Sequence, residues 1–243
     1  MEAYCSCGSR GDSAVAGDFF LVGTAGGLRA AGVPGRDDFI AGQVDGDVDA
    51  VSSKALNREN FTVVDGSKRI VSNRGGLVYT GKDTSSIEEE VYNTIRVPRG
   101  AEFNVTLDDG TKVWLNSESS IRFPVAFFGE ERRIWVSGEV FAEVAEDAGR
   151  PFIMNTGKID IKVLGTKFNV RAYSDEECIM TTLVEGAVQV DDSSGEVAVL
   201  SPSEQLVYDK ASGRNDVRKV DVELFVSWKD GVYLFESQRL EDI

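Results

Sequence analysis

Carboxylates are the side chains here best able to do chemistry. Glu139 and Glu143 lie four positions apart. Glycosidases work with two carboxyl groups about 5–9.5 Å apart, one acting as acid and the other as base or nucleophile. On a helix, positions four apart are neighbours. Here, however, the surrounding apolar residues alternate as in a strand, where four residues span roughly 13 Å. That is too far for a hydrolytic pair, so both carboxylates read as solvent-facing strand positions. Asp108-Asp109, Asp191-Asp192 and Glu88-Glu89-Glu90 could hold calcium weakly, but none has the ligand spacing of a calcium loop. Asp is favoured in turns for its local hydrogen bonds, which is the better reading. Trp114, Trp135, Trp228, Phe127 and Phe128 could stack on sugar rings, but aromatics at strand positions more commonly fill a core.

Several reaction types are excluded by composition. The chain has no histidine, which removes Ser-His-Asp and Cys-His nucleophile systems and the commonest transition-metal ligand. Cys5, Cys7 and Cys178 are too few for a four-thiolate zinc site, and Cys5 and Cys7 are too close for an ordinary disulfide. There is no phosphate-cradling glycine loop and no nucleophile elbow. No cofactor and no small-molecule substrate are expected. A net charge of −15 argues against nucleic acid and against an anionic membrane surface. No apolar run is long enough to span a bilayer. Residues 14–34 come nearest, but Asp18 and Arg29 interrupt them and they lack the basic start of a secretory signal. Arg10-Gly11-Asp12 spells an adhesion tripeptide without supporting context. Asn60-Phe61-Thr62 and Asn104-Val105-Thr106 are glycosylation sequons, the second inside a predicted strand.

The elements that must carry these residues change near residue 60. Residues 1–58 are rich in Gly, Ala, Asp and Arg, with little periodicity. Beyond them Val, Ile, Phe, Thr and Tyr dominate, with turn signals at short intervals. This is the pattern of an all-β domain of short antiparallel strands, either a sandwich or a β-solenoid-like stack. Phe103, Val105 and Leu107 alternate up to Asp108-Asp109-Gly110, and Val113 and Leu115 alternate after it. A three-residue loop with Gly110 at positive φ pairs Val105 with Val113 and Phe103 with Leu115, leaving all four on one face. Ile159, Ile161 and Val163 sit on odd positions, whereas Phe168 and Val170 sit on even ones. The parity changes across Gly165, which predicts a bulge or kink there. Further strands are expected at residues 134–136, 140–144, 181–190 and 197–200. The organisation is thus 1–58 unassigned, 59–215 all-β, and 216–243 the entry to another element, read as cut short.

A specific combination appears in residues 91–205. Tyr92-Asn93-Thr94 precedes Val97-Pro98-Arg99-Gly100. Next come Asp109-Gly110-Thr111-Lys112-Val113-Trp114-Leu115-Asn116 and Ile121-Arg122-Phe123-Pro124. Then follow Ser137-Gly138-Glu139-Val140-Phe141-Ala142-Glu143-Val144 and Pro151-Phe152. Leu164-Gly165-Thr166-Lys167-Phe168-Asn169-Val170, Glu185-Gly186 and Ser201-Pro202-Ser203-Glu204-Gln205 complete the series. In this order and spacing the segment resembles the FecR-like family of bacterial anti-sigma regulators, in the form common among Bacteroidetes.

The resemblance implies a regulator rather than an enzyme. Such proteins bind an ECF sigma factor through a cytoplasmic region and cross the inner membrane by one helix. They present a β-rich domain in the periplasm, often followed by a small α/β domain like the secretin/TonB N-terminal fold, and the resemblance makes residues 216–243 the truncated start of that domain. The periplasmic part receives a signal from the N-terminal signalling domain of a TonB-dependent outer-membrane receptor. Residues 1–58 match neither the cytoplasmic region nor the membrane helix, so only the sensor half carries over. Scaffold roles are expected for the motif residues: glycines for turns and close backbone approach, and Asn116 and Asn169 for backbone hydrogen bonds in bends. The competing reading is a carbohydrate-binding or glycoside-hydrolysing β-domain, which requires two carboxylates converging across a groove.

Overall fold

Asp108-Asp109-Gly110 closes the expected hairpin. In a computed structural model, β7 (Phe103–Thr106) pairs with β8 (Lys112–Leu115), setting Phe103 opposite Leu115 and Val105 opposite Val113. Gly110 sits at φ +88°, and all four apolar side chains are buried. Residues 92–234 are described throughout, together with the backbone of five earlier strands. Those strands are β1 (Phe19–Gly23), β2 (Ser52–Leu56), β3 (Thr62–Asp65), β4 (Lys68–Asn73) and β5 (Gly76–Thr80). Apart from β1 and β2, residues 1–58 lie outside the described residues, as do Arg10-Gly11-Asp12, the Asn60 sequon and residues 235–243.

Two sheets share one long strand. β6 (Tyr92–Arg96), β9 (Ser120–Pro124), β10 (Arg132–Glu143), β11 (Phe152–Asn155), β12 (Asp160–Val163), β15 (Val188–Asp192) and β16 (Gly195–Leu200) continue a first sheet that begins with β2 and β1. The second sheet runs β3, β4, β5, β7, β8 and β10. It continues through β13 (Lys167–Ala172), β14 (Cys178–Glu185), β17 (Glu204–Asp209) and β18 (Asn215–Lys219). Residues 132–137 of β10 belong to the first sheet and residues 138–143 to the second. Gly138, at φ +92°, marks the change. The inner faces of both sheets build one apolar core that includes Ile95, Leu115, Ile134, Phe152, Phe168 and Leu206. Each such fully buried side chain contributes about 1.5–3 kcal/mol. Of the two expected architectures, the sandwich is the one present: only the β10–β11 and β5–β7 pairings among the described strands are parallel, whereas a solenoid stacks its strands in parallel.

At Gly165 the chain bends rather than bulging within a strand. Residues 164–166 carry it from β12 of the first sheet to β13 of the second, so the change of parity is a change of sheet. A register irregularity follows between Lys167 and Phe168.

Beyond β18 the chain turns back over the outer face of the second sheet as one helical turn, α1 (Glu223–Val226), and one 3-10 turn (Ser227–Asp230). Val226 and Trp228 are buried there against Phe141, with Trp114, Val184 and Phe225 alongside. Among the described residues no helix is long and apolar enough to cross a membrane.

Candidate functional site

Val140 and Ala142 of β10 point into the core, so Glu139 and Phe141 point away from it. Glu139 was expected to face solvent but is only 7 % exposed. The alternation is as read; the outer face is covered by the Trp228 turn. Asn116 Nδ2 donates to Glu139 Oε2 at 2.9 Å, and Asn169 Nδ2 to Oε1 at 3.1 Å. Arg171, paired with Glu139 across the sheet, reaches Oε2 at 3.4 Å and also grips Glu176, with Nη2 to Oε1 at 2.5 Å. Asn169 Oδ1 accepts from Trp228 Nε1 at 3.2 Å, and Asn116 Oδ1 accepts from the Ser117 amide. Both side-chain amides are therefore held with their NH2 groups toward the carboxylate. Burial pushes the Glu139 carboxyl above its ordinary range, and Arg171, Asn169 and Asn116 pull it only part of the way back. The nearby Tyr173 phenol is pushed up to about 12, chiefly by burial; its hydroxyl donates to the Ser117 carbonyl.

This arrangement fixes a carboxylate more than it frees one. A general base must reach a substrate proton, but Glu139 is buried beneath the Trp228 turn and both its oxygens already accept from side chains. Glu143, half-buried, sits at the other end of the same stretch, opposite Lys167. The two glutamates stand beside different cations and do not face one another across a groove.

Asp109, Gly110 and Thr111 build a second polar centre. Asp109 accepts from the Thr111 amide and hydroxyl at 2.9 and 2.8 Å. It also pairs at 2.8 Å with Nη1 of Arg132, a side chain with no solvent exposure. Arg132 donates further to the carbonyls of Ala145 and Arg150, and Thr111 Oγ1 accepts from the Ala145 amide. The turn thus ties the β7–β8 hairpin to the start of β10 and to the loop beyond it. No motif marks Arg132 in the sequence. Its signal is parity: it shares the inward positions of Ile134 and Val136, where a charge demands a partner.

The remaining motif residues pack. A Cβ on Gly138 would come within 2.6 Å of Ser119 Cα, and one on Gly186 within 2.9 Å of the Gly165 carbonyl. Gly165 itself lies against the Glu146 backbone, and Thr166 donates to the Ala187 carbonyl. Glu185 pairs with Lys167 at the surface. Leu115, Phe141 and Phe168 are buried, whereas Leu164 is half exposed. Trp114 meets Phe141 edge-on at 5.6 Å. Trp135 meets Tyr92 on the other sheet, with Arg122 over both rings, and Phe127 lies in the core against Phe152. The aromatics therefore do not form one platform. Cys178 opens β14 and is half-buried.

The edge strands carry devices against adventitious pairing. β18 is exposed along its length and carries Arg218 and Lys219, and β16 is bulged against β15 between Val190 and Asp191; edge charges and bulges both discourage strand addition.

Residues 93–189 match the family model described as FecR protein. No curated protein matches the sequence. Two crystal structures of candidate anti-sigma factors from Parabacteroides distasonis are similar in sequence and fold. The first is 35% identical with a TM-score of 0.56, covering 58% of this chain and 65% of that one. The second is 36% identical with a TM-score of 0.55, covering 57% and 65%. The chain thus spans somewhat less than two thirds of each. The ordered motifs, the sandwich that arranges them and these likenesses agree: residues 93–189 match the FecR family, and the fold around them is similar to that of the two candidate anti-sigma factors.

Proposed function

We propose that this chain is the extracytoplasmic, signal-relaying part of an anti-sigma factor and works by binding proteins. The observation that carries the reading is the likeness to the Parabacteroides candidate anti-sigma factors over the same sandwich, at 35% and 36% identity. The site chemistry supports it: the buried carboxylate is held by Asn116, Asn169 and Arg171, and the Asp109–Arg132 pair is internal. In this reading the domain lies in the periplasm. It takes its signal from the N-terminal signalling domain of a TonB-dependent outer-membrane receptor and passes it to an ECF sigma factor held by a cytoplasmic region of the whole protein.

The test uses the whole protein in its own host. Co-precipitation is expected to recover one ECF sigma factor and one receptor signalling domain, and deleting the gene is expected to change transcription from that sigma factor's promoters. Recovery of neither partner, together with unchanged transcription, would sink the proposal.

A further inference from the structure

The segment from Asp221 to Gly231 is held in a way the rest of the domain is not. Its α-helix and 3-10 turn are four residues each, well short of the roughly 12–15 residues at which an isolated helix becomes even marginal in water. Its shape therefore comes from what it lies on. Val226 and Trp228 join an apolar cluster separate from the main core. Its polar anchor is the indole N–H of Trp228 on Asn169, 59 positions away in sequence, with the Lys229 ammonium over the Phe141 ring. The floor beneath also has contacts of its own. Glu139, Asn116 and Arg171 hold one another, and Trp114 braces Phe141.

We propose that residues 221–231 form a releasable strap, which leaves the outer face of the second sheet while the sandwich stays folded and so uncovers Phe141, Asn169 and Glu139. The exit of the chain suits this action. Gly231 turns at φ +72°, the Val232 amide donates back to the Ser227 carbonyl at 3.2 Å, and Val232, Tyr233 and Leu234 are all about half exposed. A partner that takes hold of those three residues pulls directly on the turn that seats Trp228. Release also breaks the Tyr233–Glu102 hydrogen bond. The structural proposal is independent of the anti-sigma reading; only the use of the strap in relaying a signal rests on it.

Native-state hydrogen exchange of the full chain in sub-denaturing urea tests the strap. Amides of residues 224–231 are expected to open at least about 10-fold more often than those of β13 and β14, with little dependence on urea, as for a local opening. Trp228→Ala is expected to raise strap exchange by a further factor of about 10 while β12 and β15 stay within about twofold. Strap amides that follow the rates and urea dependence of β13 and β14 would overturn the proposal. So would a Trp228→Ala chain that loses protection throughout, because the segment would then be part of the core.

Discussion

Glu139 sets burial against hydrogen bonding within one side chain. Desolvation favours the neutral acid, whereas Arg171, Asn169 and Asn116 favour the carboxylate, and burial is the larger effect. The folded protein therefore holds the Glu139 proton more tightly than the unfolded chain does. The stabilisation this gives is complete below the unfolded value and is lost as pH rises through the higher folded value. Compared with Glu139→Gln, which cannot titrate, the native protein is expected to be most favoured in acid, and its margin is expected to shrink as pH climbs above the ordinary carboxyl value of 4.5. Urea midpoints of both proteins across that range check this. A margin that widens with pH would mean that the cation and the two amides outweigh burial. Asp109 poses the opposite problem, since its partner Arg132 has no exposure at all. Asp109→Ala leaves a buried guanidinium without its counter-charge, and a loss of about 3–5 kcal/mol is expected in denaturant titration.

At the scale of elements, glycines with similar dihedrals carry different loads. Gly110 and Gly138 have φ of +88° and +92°, but a Cβ on Gly110 meets nothing, whereas one on Gly138 runs into the Ser119 backbone. Gly110→Ala is expected to cost only the left-handed strain, about 1–2 kcal/mol. Gly138→Ala adds a clash where β10 passes between sheets, and its thermal midpoint should fall distinctly further; equal shifts would show that Ser119 yields freely. The hairpin around Gly110 was legible in sequence because its pairing is local: three loop residues and two alternating runs fix its register. At Gly165 the parity change was equally plain, but which sheet each strand joins depends on pairings with distant strands. The burial of Glu139 was not legible, because no local pattern announces that a turn 59 positions beyond Asn169 will cover that face.

The whole molecule is bound together by β10. Its first half lies in one sheet and its second half in the other, and one continuous core joins both inner faces. Among the described residues neither inner face has a core of its own, so the two sheets should unfold together. Trp135 reports on the first sheet and Trp114 on the second. Two chains that each retain only one of these tryptophans, with Phe at the other two positions, are expected to show coincident urea midpoints. Phe168 makes the comparison sharper, because it belongs to the second sheet alone yet is fully buried in the shared core. Phe168→Ala is expected to cost about 3–5 kcal/mol and to lower both midpoints equally. A shift seen by Trp114 but not by Trp135 would mean that the shared strand yields at Gly138 before the core does, and that the sandwich is two units rather than one.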